Sequence, residues 1–382
     1  MNEDHSIVVV GESLAGVTTA RELRRLGHRG SLTIVGDERH AAYNRPPLSK
    51  QVLDPELPAE ASALGVENLG AAVVRDAATG LDLDRGHVRL ASGEVRTFDT
   101  AVIATGASAR RLAAPGQRGE LVLRTLDDAR RIRTLLRTAT SAVVVGAGFL
   151  GMEVVSACVR RGVDVTVVDV EPPLRRLLGP YLSEVTLARA RAAGVDVRVD
   201  PRGVTLLGDP VTGVRFGDGT TLTADLVVTC AGDVANTGWL AGSGLEVTSG
   251  VVIDAAGRTS RPGVHAAGDV VAVRTPRGPV RRPFWANAVR QGRVAAHGIL
   301  GVPDAPAVFD DYFWTEILGG VVKIIGDLPL EGEPQVLEGS LAEGAVLSWP
   351  GRDGGSTVVA WGLKRPLPRL RALAAAATNG SA

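Results

Sequence analysis

The sequence predicts an α/β protein with two similar doubly wound domains of parallel strands and a small α+β domain at the C-terminal end. Two glycine-rich fingerprints carry this prediction, because each follows a short apolar strand and opens a helix, as in Rossmann-like domains. The order of fingerprint, hairpins, buried strand and small-residue turn occurs twice, which indicates an internal duplication. From about Pro303 the pattern changes to short β-like runs and a final helix.

Length and charge limit the functions to which the chain is suited. With 382 residues it is long for a single hydrophobic core, so we expect two or three domains. The formal net charge is zero, which argues against a nucleic-acid-binding surface. The apolar run near the N-terminus is too short for a secretory signal or a membrane span. We therefore expect a cytoplasmic protein with no nucleic-acid or membrane partner.

The two cysteines, Cys158 and Cys230, lie far apart in apolar segments. We expect both to be free, buried thiols in a reducing compartment. The sequence has no C-x-x-C pair or other metal-ligand spacing, so we expect no bound metal ion.

The second fingerprint lies between Ser141 and Asp169. A buried strand, Ala142–Val145, precedes three glycines with the spacing G-x-G-x-x-G: Gly146, Gly148 and Gly151. The first glycine allows a tight turn, the second lets the backbone approach a pyrophosphate, and the third lets the helix pack on the strand. Asp169 ends the next strand, Val163–Val168, where an acid can bond ribose hydroxyls. The alternative is a glycine turn that only packs the helix onto the sheet.

The first fingerprint, Gly11–Gly16, has Ser13 where the middle glycine is expected. It lies between predicted strands at Ser6–Val10 and Ser31–Val35, and two acids follow the second strand: Asp37 and Glu38. The alternative here is a Rossmann half without a ligand. Together the two fingerprints favour a flavin dinucleotide and a nicotinamide dinucleotide, because an oxidoreductase that uses both needs one fingerprint for each.

The segments between the fingerprints are predicted from alternation and turn signals. Residues Ala71–Phe98 are predicted to be antiparallel strands that return to the first sheet. Two buried strands, Thr100–Gly106 and Ala224–Cys230, end in small-residue turns at Ala104-Thr105-Gly106 and at Ala231-Gly232. The other expected features are an N-cap at Thr125, helices at Tyr181–Ala193 and Pro368–Ala377, strands at Val195–Val199, Val321–Ile325, Ala345–Leu347 and Thr357–Trp361, and hairpins at Val204–Leu222.

Three further segments carry candidate ligand-binding side chains. The stiff turn Tyr43–Lys50 presents Arg45 and Lys50, cations suited to a pyrophosphate or an electron-rich ring, although a plain surface turn has the same pattern. Asp269 closes an apolar strand, where ligands bind in open α/β sheets, and it also suits a helix N-cap. The loop Arg274–Pro283 holds four arginines and no acid, which fits an acidic partner or a solvated surface equally well.

Taken in order, these motifs resemble those of the FAD-dependent, NAD(P)H-using ferredoxin reductases of oxygenase systems. These are putidaredoxin- and rubredoxin-reductase-like flavoproteins of the glutathione-reductase fold, related to apoptosis-inducing factor. The matches run over nearly the whole chain, at Gly11–Gly16, Asn44–Lys50, Ala104–Gly106, Leu123–Asp128, Gly146–Glu153, His265–Asp269, and Trp285–Ala288 with Gln291-Gly292.

The resemblance implies three domains. Residues 1–112 and 234–302 would form a discontinuous FAD-binding domain, residues 113–233 an NAD(P)H-binding domain, and residues 303–382 a C-terminal α+β domain that forms part of the partner surface.

The resemblance also implies roles for the matching residues. Lys50 and Glu153 would pair near the flavin N5 edge and Trp285 would line the isoalloxazine, so these three are the candidate catalytic residues. Without a flavin, Glu153 would be a first-turn helix acid. The positions expected at FAD are Gly11, Ser13, Ala15, Gly16, Glu38 (adenosine ribose), Arg45 (phosphates), Lys50, Ala104, Thr105, Gly106, Arg124, Gly268, Asp269 (ribitol) and Trp285. The positions expected at NADH are Gly146, Gly148, Phe149, Leu150, Gly151, Asp169, Ala231 and Gly232.

These roles imply electron transfer from NADH through FAD to an acidic [2Fe-2S] or similar ferredoxin that serves an oxygenase such as a cytochrome P450. NADH is favoured over NADPH because Asp169 would repel a 2′-phosphate and Glu171 adds charge of the same sign. Arg175 and Arg176 lie close in sequence and could accommodate such a phosphate. We expect a monomer or a homodimer.

Three features depart from the family pattern, and the last of them bears on the electron acceptor. They are Ser13, a short segment after Lys50, and Phe313-Trp314-Thr315-Glu316-Ile317 in place of Trp-Ser-Asp-Gln. The last leaves open an NADH oxidase or a flavin oxidase that uses oxygen or a small molecule. A disulfide reductase would need a cysteine over the flavin, and neither the turn Tyr43–Lys50 nor the helix after Gly16 has one. A flavin monooxygenase is disfavoured by the proline turn. A redox-sensing interaction protein is a further alternative, and it would differ from a reductase in reducing its flavin slowly.

Overall fold

The computed structural model describes residues 4–54, 56–351 and 355–376. The chain forms two compact units. The first unit comprises the chain up to Asn44, Ala61–Ser108 and Asp233–Asp310, and the second comprises Arg45–Glu60, Ala109–Gly232 and the chain from Asp311 onward. The α-helices of the described residues are, in order, α1 (Leu14–Arg25), α2 (Leu126–Leu135), α3 (Phe149–Arg160), α4 (Arg175–Ala192), α5 (Trp285–Leu300) and α6 (Leu367–Ala376).

A five-stranded parallel sheet forms the centre of the first unit. In spatial order its strands are Val264–Ala266, Thr100–Ile103, Ile7–Val10, Leu32–Gly36 and Ala72–Arg75. Every residue of Ile7–Val10 is buried, as expected for a strand covered on both faces. Helices α1 and α5 approach closely at Gly292, where a Cβ would lie 2.7 Å from the carbonyl oxygen of Ala15.

The prediction for Ala71–Phe98 is wrong in two respects. Its first strand, Ala72–Arg75, pairs in parallel with Leu32–Gly36 at the edge of the main sheet. The rest forms a separate antiparallel sheet of Ala78–Asp82, His87–Leu90 and Val95–Thr97. Alternation identifies half-buried strands of either direction, so it could not separate the parallel strand from the antiparallel ones.

The remaining strands of the first unit lie outside the parallel sheet. Val251–Ile253, Val271–Thr275 and Gly278–Val280 form a three-stranded sheet. The predicted loop Arg274–Pro283 is therefore partly a hairpin. Two short strands, Ala107–Ala109 and Asp233–Ala235, also pair with each other.

The second unit contains a parallel sheet of the same kind. In spatial order its strands are Asp196–Val199, Asp164–Asp169, Ser141–Val145, Leu226–Thr229 and Leu121–Val122. Val145 pairs with Val168 in this sheet as Val10 pairs with Val35 in the first. This common register confirms the predicted α/β architecture with two similar sheets. An antiparallel sheet of Val204–Leu207, Gly213–Phe216 and Thr221–Thr223 accounts for the expected hairpins.

The chain after Asp310 forms an antiparallel sheet with α6 packed on it. In spatial order the strands are Tyr312–Ile317, Gly320–Ile325, Ser356–Trp361, Gly344–Pro350 and Gln335–Ser340. The two edge strands were not expected from the sequence. Leu370 of α6 is buried against Ile325 and Val358. Ala377, the predicted end of this helix, lies outside the described residues.

Helix α4 starts earlier than predicted and is interrupted. Gly179 has φ of 69° and Pro180 follows, so the part that begins at Tyr181 matches the predicted helix.

Two short 3-10 helices, Pro46–Ser49 and Gln51–Leu53, form the proline turn and its continuation. Each helix in the described part of the chain is too short or too polar to span a bilayer.

Candidate functional site

The glycine turn of the first unit brings the start of α1 against the neighbouring strand end. Gly11 has φ of 122°, and a Cβ there would lie 2.1 Å from the carbonyl oxygen of Ala104. A Cβ at Gly16 would lie 2.1 Å from the carbonyl oxygen of Gly11. Both positions therefore require glycine, as the fingerprint predicts.

Ser13 is the N-cap residue of α1. Its Oγ accepts a hydrogen bond from the backbone N–H of Gly16 at 3.3 Å and donates one to the carbonyl oxygen of Ala104 at 2.9 Å. Serine is a preferred N-cap residue because its oxygen satisfies an N–H of the first turn. Ser13, which departs from the glycine of the fingerprint, therefore holds the turn against the adjacent strand. The preference of serine for the N-cap position was the sequence signal for this role.

The glycine turn of the second unit has the same geometry. Gly146 has φ of 109°, and a Cβ there would lie 2.3 Å from the carbonyl oxygen of Cys230. A Cβ at Gly151 would lie 1.8 Å from the carbonyl oxygen of Gly146. Gly148 is the N-cap of α3, and a Cβ there would meet no described atom within 4 Å. Open space before a helix N-terminus fits a pyrophosphate, which the N–H groups and the dipole attract.

The two small-residue turns follow the strands that adjoin the fingerprint strands. In the first unit, Thr105 Oγ1 donates to the carbonyl oxygen of Asn236 at 2.9 Å, and Asn236 Nδ2 donates back to that of Thr105 at 2.9 Å. Gly106 and Gly232 have φ of 65° and 94°. Ala231-Gly232 follows the strand Leu226–Thr229, which pairs with Ser141–Val145. Each turn thus lies at the carboxyl edge of its sheet, where ligands bind in open α/β folds.

Glu38, the acid predicted for the adenosine ribose, is held at its side chain and its backbone. Tyr43 donates its hydroxyl hydrogen bond to Glu38 Oε2 at 2.6 Å. Arg75 Nη1 donates to the carbonyl oxygens of Glu38 and His40, each at 3.0 Å. Sequence reasoning did not find Arg75, because the carbonyl oxygens that it contacts lie 37 and 35 residues away in the chain. It gave Tyr43 no partner, although Glu38 is only 5 residues away.

Asp169 ends its strand beside the second glycine turn. Its carboxylate accepts backbone N–H bonds from Ala147 and Val170, both at 2.6 Å. Arg176 Nη2 lies 3.7 Å from Asp169, and its Nε lies 3.2 Å from Glu171. One guanidinium is thus shared by two carboxylates.

Glu153 lies at the centre of a buried polar cluster in the second unit. Its Oε1 accepts hydrogen bonds from Lys50 Nζ at 2.8 Å and from Thr315 Oγ1 at 2.7 Å. Its Oε2 accepts one from Ser49 Oγ at 2.5 Å. Lys50 Nζ also donates to the carbonyl oxygen of Pro46 at 3.3 Å. The predicted Lys50–Glu153 pair therefore exists, and two hydroxyls that sequence reasoning missed complete the shell of the carboxylate.

The strand Tyr312–Ile317 lies along α3 on both sides of this cluster. The rings of Phe313 and Phe149 are 4.4 Å apart between centroids. The backbone N–H of Leu318 donates to Ser156 Oγ at 2.8 Å. Positions 149, 153 and 156 lie on one face of the helix, so the strand follows the face that presents Glu153. Leu150, the next residue of the fingerprint, is exposed.

Arg45, predicted at the FAD phosphates, lies next to Arg124, another position predicted at FAD. Arg45 Nη1 donates to the carbonyl oxygen of Arg124 at 2.7 Å. Arg124 precedes a capping box in which Thr125 Oγ1 accepts the N–H of Asp128 and the Asp128 carboxylate accepts the N–H of Thr125. The predicted N-cap at Thr125 is confirmed.

Asp269 is held through its backbone by an arginine of the basic segment. Arg281 donates to the carbonyl oxygen of Asp269 from Nε at 3.1 Å and from Nη2 at 2.8 Å. The same guanidinium forms a two-pronged ion pair with Asp233, at 3.2 and 3.0 Å. The adjacent Gly268 donates its N–H to Gln291 Oε1 at 2.9 Å. Arg281 therefore fixes the backbone of this loop. The sequence pattern did not reveal this role.

Other residues of the basic segment and the indole of α5 have defined contacts as well. Arg274 pairs with Glu246 at 2.5 Å, and the guanidinium of Arg282 lies 4.7 Å from the centroid of the Phe309 ring. Trp285, which starts α5, is 38% exposed and donates its indole N–H to Asn44 Oδ1 at 3.1 Å. Its orientation is thus fixed while part of the ring stays accessible.

Both cysteines are free; Cys158 is buried as expected, whereas Cys230 is half-buried. Burial raises the pKa of Cys158 and of Cys230 to about 12. A thiol of this kind is a poor nucleophile at neutral pH. No group of three potential metal-ligating side chains occurs in residues 4–54, 56–351 and 355–376.

A family model described as pyridine nucleotide-disulphide oxidoreductase matches residues 5–292, which include both glycine turns. The chain belongs to this family. The family description includes disulphide chemistry, but the two cysteines here lie in the second unit, are unpaired and have raised pKa values.

Relatives place the chain near a particular branch of the family. It is 33% identical to a benzene 1,2-dioxygenase system ferredoxin–NAD(+) reductase subunit from Pseudomonas putida, over 91% of this chain and 87% of the relative. A rubredoxin-NAD(+) reductase from Pseudomonas putida is 32% identical, with coverage of 85% and 87%. The crystal structure of a covalent putidaredoxin reductase–putidaredoxin complex matches with a TM-score of 0.87 at 30% identity, covering 97% and 92%. The resemblance predicted from the motifs is confirmed.

Proposed function

We propose that this protein is an FAD-dependent NADH:ferredoxin reductase that supplies electrons to an oxygenase such as a cytochrome P450. The observation that carries the proposal is the pair of glycine turns with matching geometry, one in each unit. A flavin–nicotinamide oxidoreductase needs two such turns, whereas an enzyme with one dinucleotide needs a single one. Relatives named as ferredoxin and rubredoxin reductases support the same activity.

We assign FAD to the first turn and NADH to the second. In three-domain terms, residues 1–112 and 234–302 bind FAD, residues 113–233 bind NADH, and residues 303–382 contribute to the partner surface. Glu38 takes the adenosine ribose of FAD and Asp269 the ribitol. The contacts that hold the Glu38 side chain and the Asp269 backbone support the assignment, because a site that must hold a large cofactor benefits from fixed groups.

The chain contributes to catalysis by positioning a charged side chain and an aromatic ring. When bound, FAD takes an electron pair from NADH and passes electrons singly to a one-electron acceptor. We place the ammonium of Lys50 at the flavin N5 edge, where a fixed positive charge stabilises arriving electron density. Glu153 and the Pro46 carbonyl hold this ammonium, and Trp285 lines the ring with its indole fixed by Asn44.

The corner at Asp169 supports NADH as the electron donor. A carboxylate at this position accepts hydrogen bonds from ribose hydroxyls and repels a 2′-phosphate. Arg176 faces both Asp169 and Glu171, so its charge is balanced by acids before any phosphate arrives. NADPH is therefore the weaker donor.

We propose an acidic [2Fe-2S] ferredoxin as the acceptor and the cytoplasm as the compartment. The segment Arg274–Pro283 supports the first point, because it holds four arginines and no acid, and Arg274 and Arg277 are exposed. Two free thiols support the second point. The enzyme would act as a monomer or a homodimer.

Anaerobic reduction of the purified yellow protein tests the proposal. NADH should bleach the flavin rapidly, and ferredoxin with cytochrome c should reoxidise it much faster than oxygen does. Faster reoxidation by oxygen would assign an NADH oxidase instead. A protein that holds no flavin, or whose flavin NADH does not reduce, would contradict the proposal altogether.

A further inference from the structure

Glu12 is a charged residue inside the first glycine turn, between Gly11 and Ser13. The matching position of the second turn is Ala147. The side chain of Glu12 is only 4% exposed. A carboxylate buried beside a turn built for phosphates is unfavourable unless a cation and hydrogen-bond donors offset its charge.

Arg75 supplies that cation. Its Nη1 lies 2.6 Å from Glu12 Oε2 and its Nη2 lies 3.2 Å from Glu12 Oε1, which is a two-pronged contact. The same Nη1 donates to the carbonyl oxygens of Glu38 and His40. Glu12 Oε1 also accepts the backbone N–H of Ala42 at 2.9 Å. The pair therefore holds the loop 38–42 at three backbone atoms.

The contact between the glycine turn and the end of the next strand differs between the two units. In the second unit the strand ends in Asp169, and the turn residue Ala147 donates its N–H to that carboxylate. In the first unit the strand ends in Gly36, where a Cβ would lie 2.6 Å from the Cβ of Glu12. Glu12 thus fills the space that an aspartate would need. The acid available to a ribose comes later in the chain, at Glu38, on the loop that Glu12 and Arg75 hold.

We infer that Glu12 and Arg75 are positioning residues for Glu38, and through it for the adenosine end of FAD. The inference rests on the proposed function, since it takes the first unit to bind FAD. Loss of Arg75 leaves a buried carboxylate without its cation and removes the hydrogen bonds that Nη1 donates to the carbonyl oxygens of Glu38 and His40. Loss of both residues removes the unpaired charge as well, so the double variant is less impaired than the single arginine variant.

The test is a titration of apoprotein with FAD and, separately, with FMN, which lacks the adenosine half. Arg75→Met should raise the dissociation constant for FAD about tenfold or more. Glu12→Ala should raise it about threefold, and the double variant should lie closer to the wild type than Arg75→Met does. Affinity for FMN should stay within twofold of the wild type in all three. Arg85→Met, which removes a surface ion pair with Asp82 in the same unit, is the matched control and should change neither affinity.

Three outcomes would overturn the inference: equal weakening of FAD and FMN, a double variant no better than Arg75→Met, or an Arg75→Met protein that binds FAD as the wild type does. If Arg75→Met does not fold, Glu12→Ala decides alone, because alanine is the residue that the second turn has at this position. A loss specific to FAD supports the inference, and equal or absent losses contradict it. A wild-type protein that binds no FAD would instead refute the proposed function.

Discussion

Replacing Thr315 by valine tests the hydrogen-bond shell of Glu153. The Thr315 hydroxyl is fully buried and bonds the carboxylate at 2.7 Å, and valine keeps the shape of threonine without the donor. A hydrogen bond to a charged group contributes about 1.5–3 kcal/mol, against about 1 kcal/mol for a neutral pair. Glu153 as a residue is only 7% exposed, so its carboxylate has little access to water that could replace the lost donor. We therefore expect Thr315→Val to lower the free energy of unfolding by about 2 kcal/mol.

Urea unfolding of matched variants measures this effect. Thr186 is the control, because its equally buried hydroxyl bonds the neutral carbonyl oxygen of Leu182 at 2.7 Å. Thr186→Val should cost about 1 kcal/mol. In a Glu153→Gln background the cost of Thr315→Val should also fall to about 1 kcal/mol, since the acceptor is then neutral. Equal costs at the two threonines, or a cost unchanged by Glu153→Gln, would refute the reasoning.

Three other predictions concern the donor site, the thiols and acid stability. Asp169→Ala should raise the Michaelis constant for NADH much more than that for NADPH, and equal effects would contradict the role given to this acid. Cys158 and Cys230 should resist alkylation at pH 8 in the folded protein and react once it is unfolded, as mass spectrometry would show, because burial raises both pKa values to about 12. Hydrogen bonds from Thr140 lower the pKa of Asp225 from 3.8 to about 2, and the bond from the Thr140 hydroxyl has the largest effect. The stabilisation is therefore present above pH 4 and lost as pH falls towards 2, so the melting temperatures of wild type and Asp225→Asn should converge over that range.

The sequence predicts well those features that depend on local chemistry. The fingerprint encodes a steric requirement for glycine. A Cβ would clash with backbone atoms at each of the four positions Gly11, Gly16, Gly146 and Gly151. Thr125 caps α2 as expected, since a capping box is complete within four residues. The paired fingerprints were thus enough to predict the two parallel sheets, whereas the family was predicted from the whole ordered series of motifs.

The features that the sequence did not reveal depend on residues distant in the chain. Thr315 and Ser49 reach Glu153 from segments far from α3, and no spacing rule connects them. Arg281 looked like one of several cations for a partner, but its partners are Asp233 and a backbone carbonyl. Ala72–Arg75 alternates as its antiparallel neighbours do, so only the fold decides its direction. Ser13 is a different case, because its local N-cap signal was present and the comparison with glycine obscured it.

The strand Tyr312–Ile317 has a consequence for engineering. On the proposed function, exchange of the C-terminal segment between relatives would change part of the partner surface. In this chain the exchange would also remove the hydroxyl that Thr315 gives to Glu153 and the ring that Phe313 places on Phe149. A graft that keeps Tyr312, which packs on the core beneath α6, together with Phe313 and Thr315 would leave α3 with its contacts, while Trp314 and the exposed Glu316 could be varied. The boundary for a chimaera therefore follows individual residues along this strand rather than a single point in the chain.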